Sequence, residues 1–447
     1  MSEAIPSEQA HDSTNDLHQH EAPARVASVD ILRGLTILTM VFVNDVGPAA
    51  PSWAHHIQPP DADGMTVADV VFPTFLFLVG VSIPLAFQQA QRRGHSLARQ
   101  LVHVASRTLG LILMGLVQYN YAADQSMGQY WWGLLAYISI IFAWCIVPTS
   151  PGIRRNTFLC IKSLGCLGIF LLFVFFRREA TTANIAFYGE YESWRWLQTG
   201  WWGILGLIGW AYLVGSLIYI CVGRRREWLM GAMALLYLLF IADRSGGLFS
   251  HLDSKNWVSG FQPLLGALQS LVEGVDQFVD LGGILGSQAA ITVAGCMLGS
   301  ILIAKGGIEQ PSERFKWALL FALGLFLAGC VADFFAGINK IGATPTWCLW
   351  SSAIAAFVWA IGYAVWDIWK FQKWSFLIQP AGANPLIAYL LHPILLWTLS
   401  LTGLSTLLLS YKNSDSATTA MLGSFVMAML VCSLTGLIAK IGLRVRI

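Results

Sequence analysis

The sequence predicts an all-α fold, a polytopic membrane helix bundle of about 12 transmembrane helices, or roughly 10–11 at the lower count, with both termini in the cytoplasm. Of its 447 residues, 56% are hydrophobic and only 12% are charged, whereas about a quarter of the residues in an ordinary soluble domain are charged. Apolar stretches of about 20 residues, the length that crosses a bilayer, recur along the chain with short polar breaks. Basic residues cluster in those breaks, as topology signals do.

Twelve apolar stretches reach the length of a transmembrane helix. They are 29–47, 66–88, 101–120, 129–148, 158–176, 202–222, 227–243, 284–304, 316–335, 346–366, 385–406 and 419–440. The stretch 227–243 is short and follows its neighbour closely. A re-entrant segment there would reverse the orientation of every later span, so the orientation needs a separate test.

Charge supplies that test. A cytoplasmic N-terminus puts twenty of the 27 Lys and Arg residues on the inner side of the membrane, as the positive-inside rule requires. The bias holds beyond 227–243 as well. We therefore predict that both termini face the cytoplasm.

Two polar segments flank or interrupt this pattern. Residues 1–24 are polar and lack the apolar core of a secretory signal, so we predict a disordered cytoplasmic tail followed by one transmembrane domain over 25–447. The longest connection, about 244–283, is amphipathic. An interfacial helix is the structure that this pattern favours.

Several classes of function are excluded by composition and motifs. The net charge of +2 is too small to indicate a nucleic-acid partner. The eight cysteines are scattered through apolar stretches without a Cys-x-x-Cys pair or a histidine at ligand spacing, so we predict no metal. The chain has no phosphate-binding glycine loop and no Gly-x-Ser-x-Gly motif.

The densest polar segment is the first outward loop with its flanks. His55 and His56 lie in the loop, and Asn44 and Asp69 lie at the ends of the two adjoining spans. A partly desolvated histidine acts as a general base or nucleophile when a carboxylate or amide fixes its tautomer. The alternative is structural: solvated histidines, with Asp69 capping the second span.

Two further groups contain polar residues inside or beside the membrane. Asn384 and His392 lie about two turns apart on one predicted helix, and ionisable groups at such depth favour a functional reading. Asn339, Lys340 and Trp347 lie at an outward loop, where polar groups beside an indole suit carbohydrate; an interfacial tryptophan belt is the alternative.

Charge indicates two further binding regions. On the outer side, acidic residues including Asp45 suit a cationic ligand. On the inner side, a basic stretch suits the phosphates of a donor such as coenzyme A, although ordinary topology signals explain it equally well. Its members are Arg92, Arg93, Arg99 and Arg107.

Several of these motifs, in this order and spacing, resemble the heparan-alpha-glucosaminide N-acetyltransferase family. The similarity covers most of the chain and is strongest in the first 90 residues. The residues that carry it include Ser28-Val29-Asp30-Ile31-Leu32-Arg33-Gly34, Val43-Asn44, Gly64-Met65-Thr66, Ala68-Asp69, Val71-Phe72-Pro73, Trp201 to Gly206 and Gly382-Ala383-Asn384.

The resemblance implies a transmembrane N-acetyltransferase that moves an acetyl group from cytoplasmic acetyl-CoA to an extracytoplasmic amino sugar or related glycan through a loop histidine. That histidine maps to His56, with His55 as the alternative, and Asn44 and Asp69 flank the same loop. Asn384 also matches. The segment from the histidine to Gly64 is longer here than in the animal enzyme, so the acceptor is not fixed by the resemblance.

We therefore expect a multi-pass protein of the bacterial inner membrane, with acetyl-CoA as co-substrate and no metal. Its expected partners are membrane lipids and a small-molecule or glycan amino-sugar acceptor; a homodimer is one oligomeric state left open. A sugar transporter or permease is the rival reading, in which the same polar groups bind a carried substrate. A structural membrane component fits these groups poorly.

Overall fold

The structure is a computed structural model that describes residues 26–57, 59, 61–123, 128–149, 151–177, 196–246, 262–303 and 307–445. The tail predicted over residues 1–24 lies outside the described residues. Fifteen α-helices are described, and the described residues contain no strand beyond one bridge between Cys145 and Val445. The all-α prediction is confirmed.

The helices follow one another along the chain with short connections. They are α1 (Ala27–Asp45), α2 (Val67–Arg92), α3 (Leu97–Asn120), α4 (Gln129–Ala143), α5 (Ile153–Phe175), α6 (Gly203–Val222), α7 (Arg226–Arg244), α8 (Gln262–Phe278), α9 (Ala289–Leu302), α10 (Pro311–Ala336), α11 (Pro345–Gly362), α12 (Gln379–Ala383), α13 (Pro385–Leu401), α14 (Ser405–Leu408) and α15 (Ala417–Ile441). A π-helical turn, Gly283–Gln288, leads into α9, and another, Tyr363–Ile368, continues α11. Short 3-10 turns are Ser52–Ala54, Tyr121–Ala123, Lys373–Leu377 and Ser410–Asn413.

Each predicted span corresponds to one of these helices. Nine helical segments of the described chain are long and apolar enough to cross a membrane, and two shorter apolar helices, Tyr130–Ala143 and Pro385–Leu401, accompany them. The doubtful span 227–243 is α7, a continuous helix with its charged residues at its two ends. The molecule is thus a multi-pass helical membrane protein.

The connection 244–283 contains the predicted amphipathic helix, α8. Its residues Leu264, Leu268, Leu271 and Phe278 are exposed. An apolar row that protein does not cover suits the boundary of a bilayer. This position in the membrane plane remains a prediction.

The centre of the bundle is α9, all of whose residues are buried. It packs on α2 with backbone against backbone, because glycines lie at the crossing. A Cβ on Gly80 would overlap the carbonyl oxygen of Thr292, and one on Gly295 would overlap the carbonyl oxygen of Phe77. Small residues allow this close approach, which is how membrane helices associate in the absence of a hydrophobic drive.

Hydrogen bonds of Asp367 and Arg33 hold the start of α1 in place. The carboxylate oxygens of Asp367 accept hydrogen bonds from the backbone N–H groups of Ala27 and Ser28, each at 2.9 Å, and so cap a helix with no side-chain cap of its own. The Arg33 guanidinium donates to Ser82 Oγ at 2.8 Å and to the Gly382 carbonyl at 3.1 Å. This end of α1 is therefore a structural anchor.

The opposite end of α1 faces a set of connections that meet at one end of the bundle, hereafter the His56 end. These are the connections 46–66, 337–344 and 402–416. The Gly64 N–H donates to the Ile338 carbonyl at 2.8 Å, and Lys412 reaches the last residue of α1, Asp45, at 2.6 Å. Residues far apart in the chain therefore converge there.

Candidate functional site

The site is built on the first turn of α2. The helix begins at Val67, and Thr66 and Asp69 form a capping box, in which the Asp69 carboxylate turns back to the start of its own helix. Oδ2 of Asp69 accepts from the backbone N–H of Thr66 at 3.1 Å and from that of Ile57 at 3.2 Å. These bonds fix the loop 46–66 and leave Oδ1 directed at the neighbouring loop residue.

That residue is His56. Its Nδ1 lies 2.8 Å from Oδ1 of Asp69. The Asp69 side chain is 1% exposed, whereas that of His56 is 41% exposed. Two lone pairs do not approach to this distance without a proton between them, so the proton lies on Nδ1 and the neutral ring carries its lone pair on Nε2. This is the tautomer that a general base or nucleophile uses.

Lys340 completes the group. Its Nζ lies 3.4 Å from Oδ1 of Asp69 and 3.0 Å from Nδ1 of His56. Because the Nδ1 proton is directed at Asp69, the ammonium pairs with the carboxylate and only contacts the imidazole nitrogen. Burial lowers the pKa of Lys340, and the charge of Asp69 opposes that change. In its protonated form the Lys340 side chain places a positive charge beside the ring.

Asn339 positions Lys340 through the turn that carries both. Its Oδ1 accepts from the Gly342 N–H at 2.6 Å, its backbone N–H donates to Thr344 Oγ1 at 2.9 Å, and its Nδ2 donates to the Ala62 carbonyl at 3.3 Å. These contacts lock the 337–344 turn against the first loop. The Asn339 side chain thus holds the 337–344 turn in place, and its expected role in substrate binding stays a prediction.

Trp347 also differs from its expected position. We expected an indole beside a sugar, but the Trp347 side chain is fully buried in the core. It lies in the first turn of α11, a helix that is mostly buried. In this structure a sugar therefore has no access to the face of Trp347.

A second cluster surrounds Asp45, the last residue of α1. Its Oδ1 lies 3.0 Å from Nε2 of His392 and 2.6 Å from Nζ of Lys412, and its Oδ2 accepts a hydrogen bond from the Tyr411 hydroxyl. The Asp45 side chain is fully buried. Burial and the bond to Asp45 raise the pKa of Tyr411. Two predicted residues, Asp45 and His392, thus form a direct pair.

Asn44 lies with this second cluster. Its side chain borders a cavity that His392 also borders. Among the described residues, Asn44 forms no hydrogen bond with His56. The Asp69 carboxylate orients the His56 ring. We expected Asn44 beside His56 because Asn44 and Asp69 flank the loop that contains this histidine. The helical register of α1 directs it elsewhere.

Among the described residues, neither the His55 ring nor the Asn384 side chain hydrogen-bonds to His56 or Asp69. The His55 backbone carbonyl accepts from the Thr66 hydroxyl at 2.6 Å, and its ring Nε2 is buried without a hydrogen-bond partner among the described residues. Asn384 is buried at the start of α13. It lies beside the Gly382 carbonyl that binds Arg33, at the end of the bundle opposite His56.

The four predicted donor-binding arginines divide into two groups. Arg92, Arg93 and Arg99 are exposed around the α2–α3 connection. A cavity of about 410 Å³ opens beside them, lined by Gln88, Gln91, Leu97, Gln100, Arg224 and neighbouring apolar groups. Arg107 instead stacks over the Tyr212 ring at 4.7 Å, inside the bundle. It is part of the packing between α3 and α6.

One group of carboxylates offers metal-ligand geometry in the described chain. Oxygens of Asp243, Asp276 and Asp280 lie within 4.8 Å of one another. The Arg244 guanidinium lies 3.4 Å from Asp243 and 2.9 Å from Asp280. Its single positive charge offsets part of the charge of the three carboxylates and competes with a cation.

Sequence reasoning missed several residues of these sites. Tyr411 and Lys412 lie in the connection 402–416, predicted to face outward, and its one signal in the sequence was a basic residue where the charge bias disfavours one. Gln118 donates to the Tyr389 hydroxyl at 2.5 Å and accepts from the Leu205 N–H at 3.3 Å. An amide near the end of an apolar helix was its signal.

The fold and these contacts define a multi-pass helical membrane protein with a histidine–carboxylate pair at one end of its bundle. Residues 25–252, just over half of the chain, match the family described as "Domain of unknown function (DUF5009)". The chain belongs to that family.

The chain is also similar to two named enzymes over part of its length. The chain is 40% identical over 98 residues to heparan-alpha-glucosaminide N-acetyltransferase of Homo sapiens, a match of 22% of this chain and 14% of the relative. It is 38% identical over 149 residues to the Mus musculus protein of that name, 30% of this chain and 22% of the relative. These matches confirm the resemblance found in the sequence, while its expected extent over most of the chain stays a prediction. The chain spans less than a quarter of either relative's length.

Proposed function

We propose that the protein transfers an acetyl group from acetyl-CoA to the amine of an amino sugar, with His56 as the reacting base or nucleophile. The observation that carries this proposal is the His56–Asp69 pair, which leaves the Nε2 lone pair on a partly exposed ring. The names of the two relatives support the reaction class. The bacterial inner membrane and a cytoplasmic donor belong to the same proposal.

The pair serves two routes that begin at the same lone pair. In direct transfer, the amine attacks the thioester carbonyl, the C–S bond breaks, coenzyme A leaves as thiolate and Nε2 takes the amine proton. In the covalent route, Nε2 itself attacks the carbonyl and coenzyme A leaves, after which the amine takes the acetyl group from the imidazole. Asp69 stabilises the positive charge that develops on the ring in both routes.

Donor binding is proposed for the opposite end of the bundle. Arg92, Arg93 and Arg99 are free of the core and suit the phosphates of coenzyme A, and the 410 Å³ cavity beside them offers space for part of the nucleotide. Arg92 is about 35 Å from Asp69 along α2 at 1.5 Å per residue. The thioester therefore has to enter the bundle to reach His56.

Three buried polar groups lie inside the bundle between these two ends. The hydroxyls of Ser216 and Thr292 and the amide oxygen of Gln288 are buried without hydrogen-bond partners among the described residues. They lie on α6, on α9 and on the π-helical turn before α9, and Thr292 packs directly against Gly215. Unsatisfied polar groups in a membrane interior are costly, and a polar pantetheine arm would satisfy them.

The experiment that tests the function is acetyl transfer from radiolabelled acetyl-CoA to glucosamine and a panel of amino sugars in proteoliposomes. Wild type, His56→Ala and His55→Ala are compared. Transfer that is lost in His56→Ala and retained in His55→Ala is expected, because among the described residues His56, and not His55, hydrogen-bonds to Asp69. Saturable sugar uptake without transfer to any acceptor would instead favour a transporter.

A further inference from the structure

The start of α5 and the end of α15 form a basic surface at the end of the bundle opposite His56. Gly436, near the end of α15, packs against Pro380 in α12, the helix that also meets the start of α1. Five exposed cations form the surface, hereafter the α5–α15 basic surface. They are Arg154, Arg155, Lys162, Lys440 and Arg444. None of them belongs to the His56 site or to the arginines proposed for the donor.

Two segments far apart in the chain meet to form this surface. The backbone N–H of Ile146, in the connection before α5, donates to the Arg444 carbonyl at 2.8 Å. Gly442, which ends α15, lies so close to α5 that a Cβ there would overlap a terminal nitrogen of Arg154. The cations of α5 and α15 are therefore held next to one another by the packing of the backbone.

No acidic side chain of these segments offsets their charge. Residues 128–149, 151–177 and 417–445, which include α4, α5 and α15, contain no Asp or Glu. In the part of the chain that the structure describes, none of the five cations forms an ion pair with a carboxylate. Like charges gathered in this way repel one another, and an anion from outside the chain relieves the repulsion.

The basic surface opens towards lipid, because α5 lies at the edge of the bundle. Only 11% of the membrane span formed by α5 is buried, and Leu159, Leu164 and Leu167 are exposed along it. Lys162 lies among these leucines, on the same helical face as Arg155 and about 10 Å further along the axis. A cation inside a lipid-facing row turns its ammonium back to the polar boundary of the membrane, where phospholipid phosphates lie.

The first turn of α5 also favours an anion. Its N-cap, Gly152, has no side chain to accept from the first N–H groups of the helix, and the turn contains no acidic residue. Arg154 and Arg155 lie there instead, although the positive end of the helix dipole disfavours cations. A phosphodiester beside these guanidinium groups would offset both charges.

We propose that the α5–α15 basic surface binds the headgroup of an anionic phospholipid, whose acyl chains lie along the exposed leucines of α5. That apolar row favours a lipid over a soluble phosphate, because it continues directly from the cations. The positive-inside rule accounts for basic residues on one side of a membrane. It does not account for their convergence from two distant segments, or for Lys162 within the lipid-facing row. Basic pockets between membrane helices bind headgroups of this kind.

The test measures lipid binding to the purified full-length protein. Native mass spectrometry gives the Kd for added dioleoyl phosphatidylglycerol, with zwitterionic dioleoyl phosphatidylcholine in a parallel titration. The variants are Arg155→Gln, Lys162→Gln and the double variant. The matched control is the Lys370→Gln, Lys373→Gln double variant, which removes two exposed lysines before α12. Because all four side chains are exposed, thermal midpoints in phosphatidylcholine should stay at the wild-type value and verify folding.

Each Lys or Arg near an anionic lipid surface strengthens binding by about fivefold, so the phosphatidylglycerol Kd should rise about fivefold in each single variant and about 25-fold in the double variant. Phosphatidylcholine binding and the control variant should stay at wild-type values. A double variant that binds phosphatidylglycerol as tightly as the wild type overturns the proposal, and so does a control that loses as much affinity.

Soluble phosphates form a further arm of the test. Inorganic phosphate and coenzyme A, each at the lipid concentration, should leave phosphatidylglycerol bound. Displacement of the lipid by either one would show that the surface takes a soluble phosphate, and would overturn the assignment to a lipid. None of these outcomes depends on acetyl transfer, so this proposal and the proposed function fail separately.

Discussion

Oδ1 of Asp69 lies 2.8 Å from Nδ1 of His56, while Oδ2 of the same carboxylate accepts from the backbone N–H of Thr66. One side chain therefore starts a membrane helix and orients a loop histidine. The structural reading of Asp69 as a helix cap and the functional reading as a histidine partner are both correct descriptions of its contacts. This double use explains why a charged residue tolerates burial at this place.

Replacing Asp69 by Asn separates the two uses. In Asp69→Asn the amide oxygen still caps α2. The substitution removes the charge that fixes the His56 Nδ1 proton and stabilises the imidazolium. We expect kcat to fall by about 10²–10⁴ and the thermal midpoint to fall as well, because the substitution leaves the Lys340 side chain, 22% exposed, without its carboxylate partner. Asp415→Asn, an exposed aspartate at the same end, is the matched control, and wild-type kcat in Asp69→Asn would remove Asp69 from the mechanism.

Lys340 controls the charge on the neighbouring ring. Its ammonium, 3.0 Å from His56 Nδ1, repels a second positive charge there. Lys340→Met removes that charge, so we expect the acid limb of the kcat/KM profile to move to higher pH. Lys340→Arg keeps the charge.

The measurement is kcat/KM for the acceptor between about pH 5 and pH 9, which includes the range where a histidine ordinarily changes its charge. Lys340→Arg and the exposed Lys316→Met, 66% exposed on α10, serve as controls with the wild-type limb. An acid limb that stays in place or moves to lower pH in Lys340→Met would show that the ammonium does not act on His56.

The helices were predictable from the sequence because an apolar run of about 20 residues has few structures open to it in a bilayer. All twelve predicted spans correspond to helices, including α7. The His56–Asp69 contact was also within reach, since the two residues are 13 positions apart on one loop and its flanking helix. Local chemistry and short separation made that hypothesis possible.

The rest depends on which helices meet, and one sequence does not contain that information in readable form. Lys340 is 284 positions from His56, and Tyr411 is 366 positions from Asp45. Helix pairing in membranes is set by small residues that allow close approach, and their partners cannot be told from their spacing. Trp347 illustrates a related problem: a tryptophan near a loop looks interfacial until helix rotation is known.

The effects of substitutions at Asp45 and Lys412 on stability should not be additive, because the two side chains form a pair. Asp45→Asn leaves Lys412 and His392 beside a neutral group in a buried place. Breaking a buried pair in this way costs about 3–5 kcal/mol, and we expect about 2 kcal/mol here because the Lys412 side chain is 25% exposed. Lys412→Met in the Asp45→Asn background should recover part of the loss.

Thermal midpoints of the single and double variants in one detergent measure this coupling. A double variant as unstable as the sum of the two single variants would mean that Asp45 and Lys412 contribute independently. Recovery in the double variant identifies the uncompensated ammonium as the origin of the loss.

Alanine substitutions of two helical glycines, Gly80 at the α2–α9 crossing and Gly324 in α10, should change stability in opposite directions. A methyl group on Gly80 would overlap the Thr292 carbonyl oxygen, which is backbone and cannot rotate away, whereas a methyl group on Gly324 in α10 meets nothing within 4 Å. Gly80→Ala forces the two helices apart, and overpacking of this kind costs about 1–3 kcal/mol. Gly324→Ala gains helix propensity of up to about 1 kcal/mol, so its midpoint should equal or exceed that of the wild type. Melting curves of both variants in the same detergent check this, and a Gly80→Ala protein as stable as Gly324→Ala would show that α2 and α9 do not touch through their backbones.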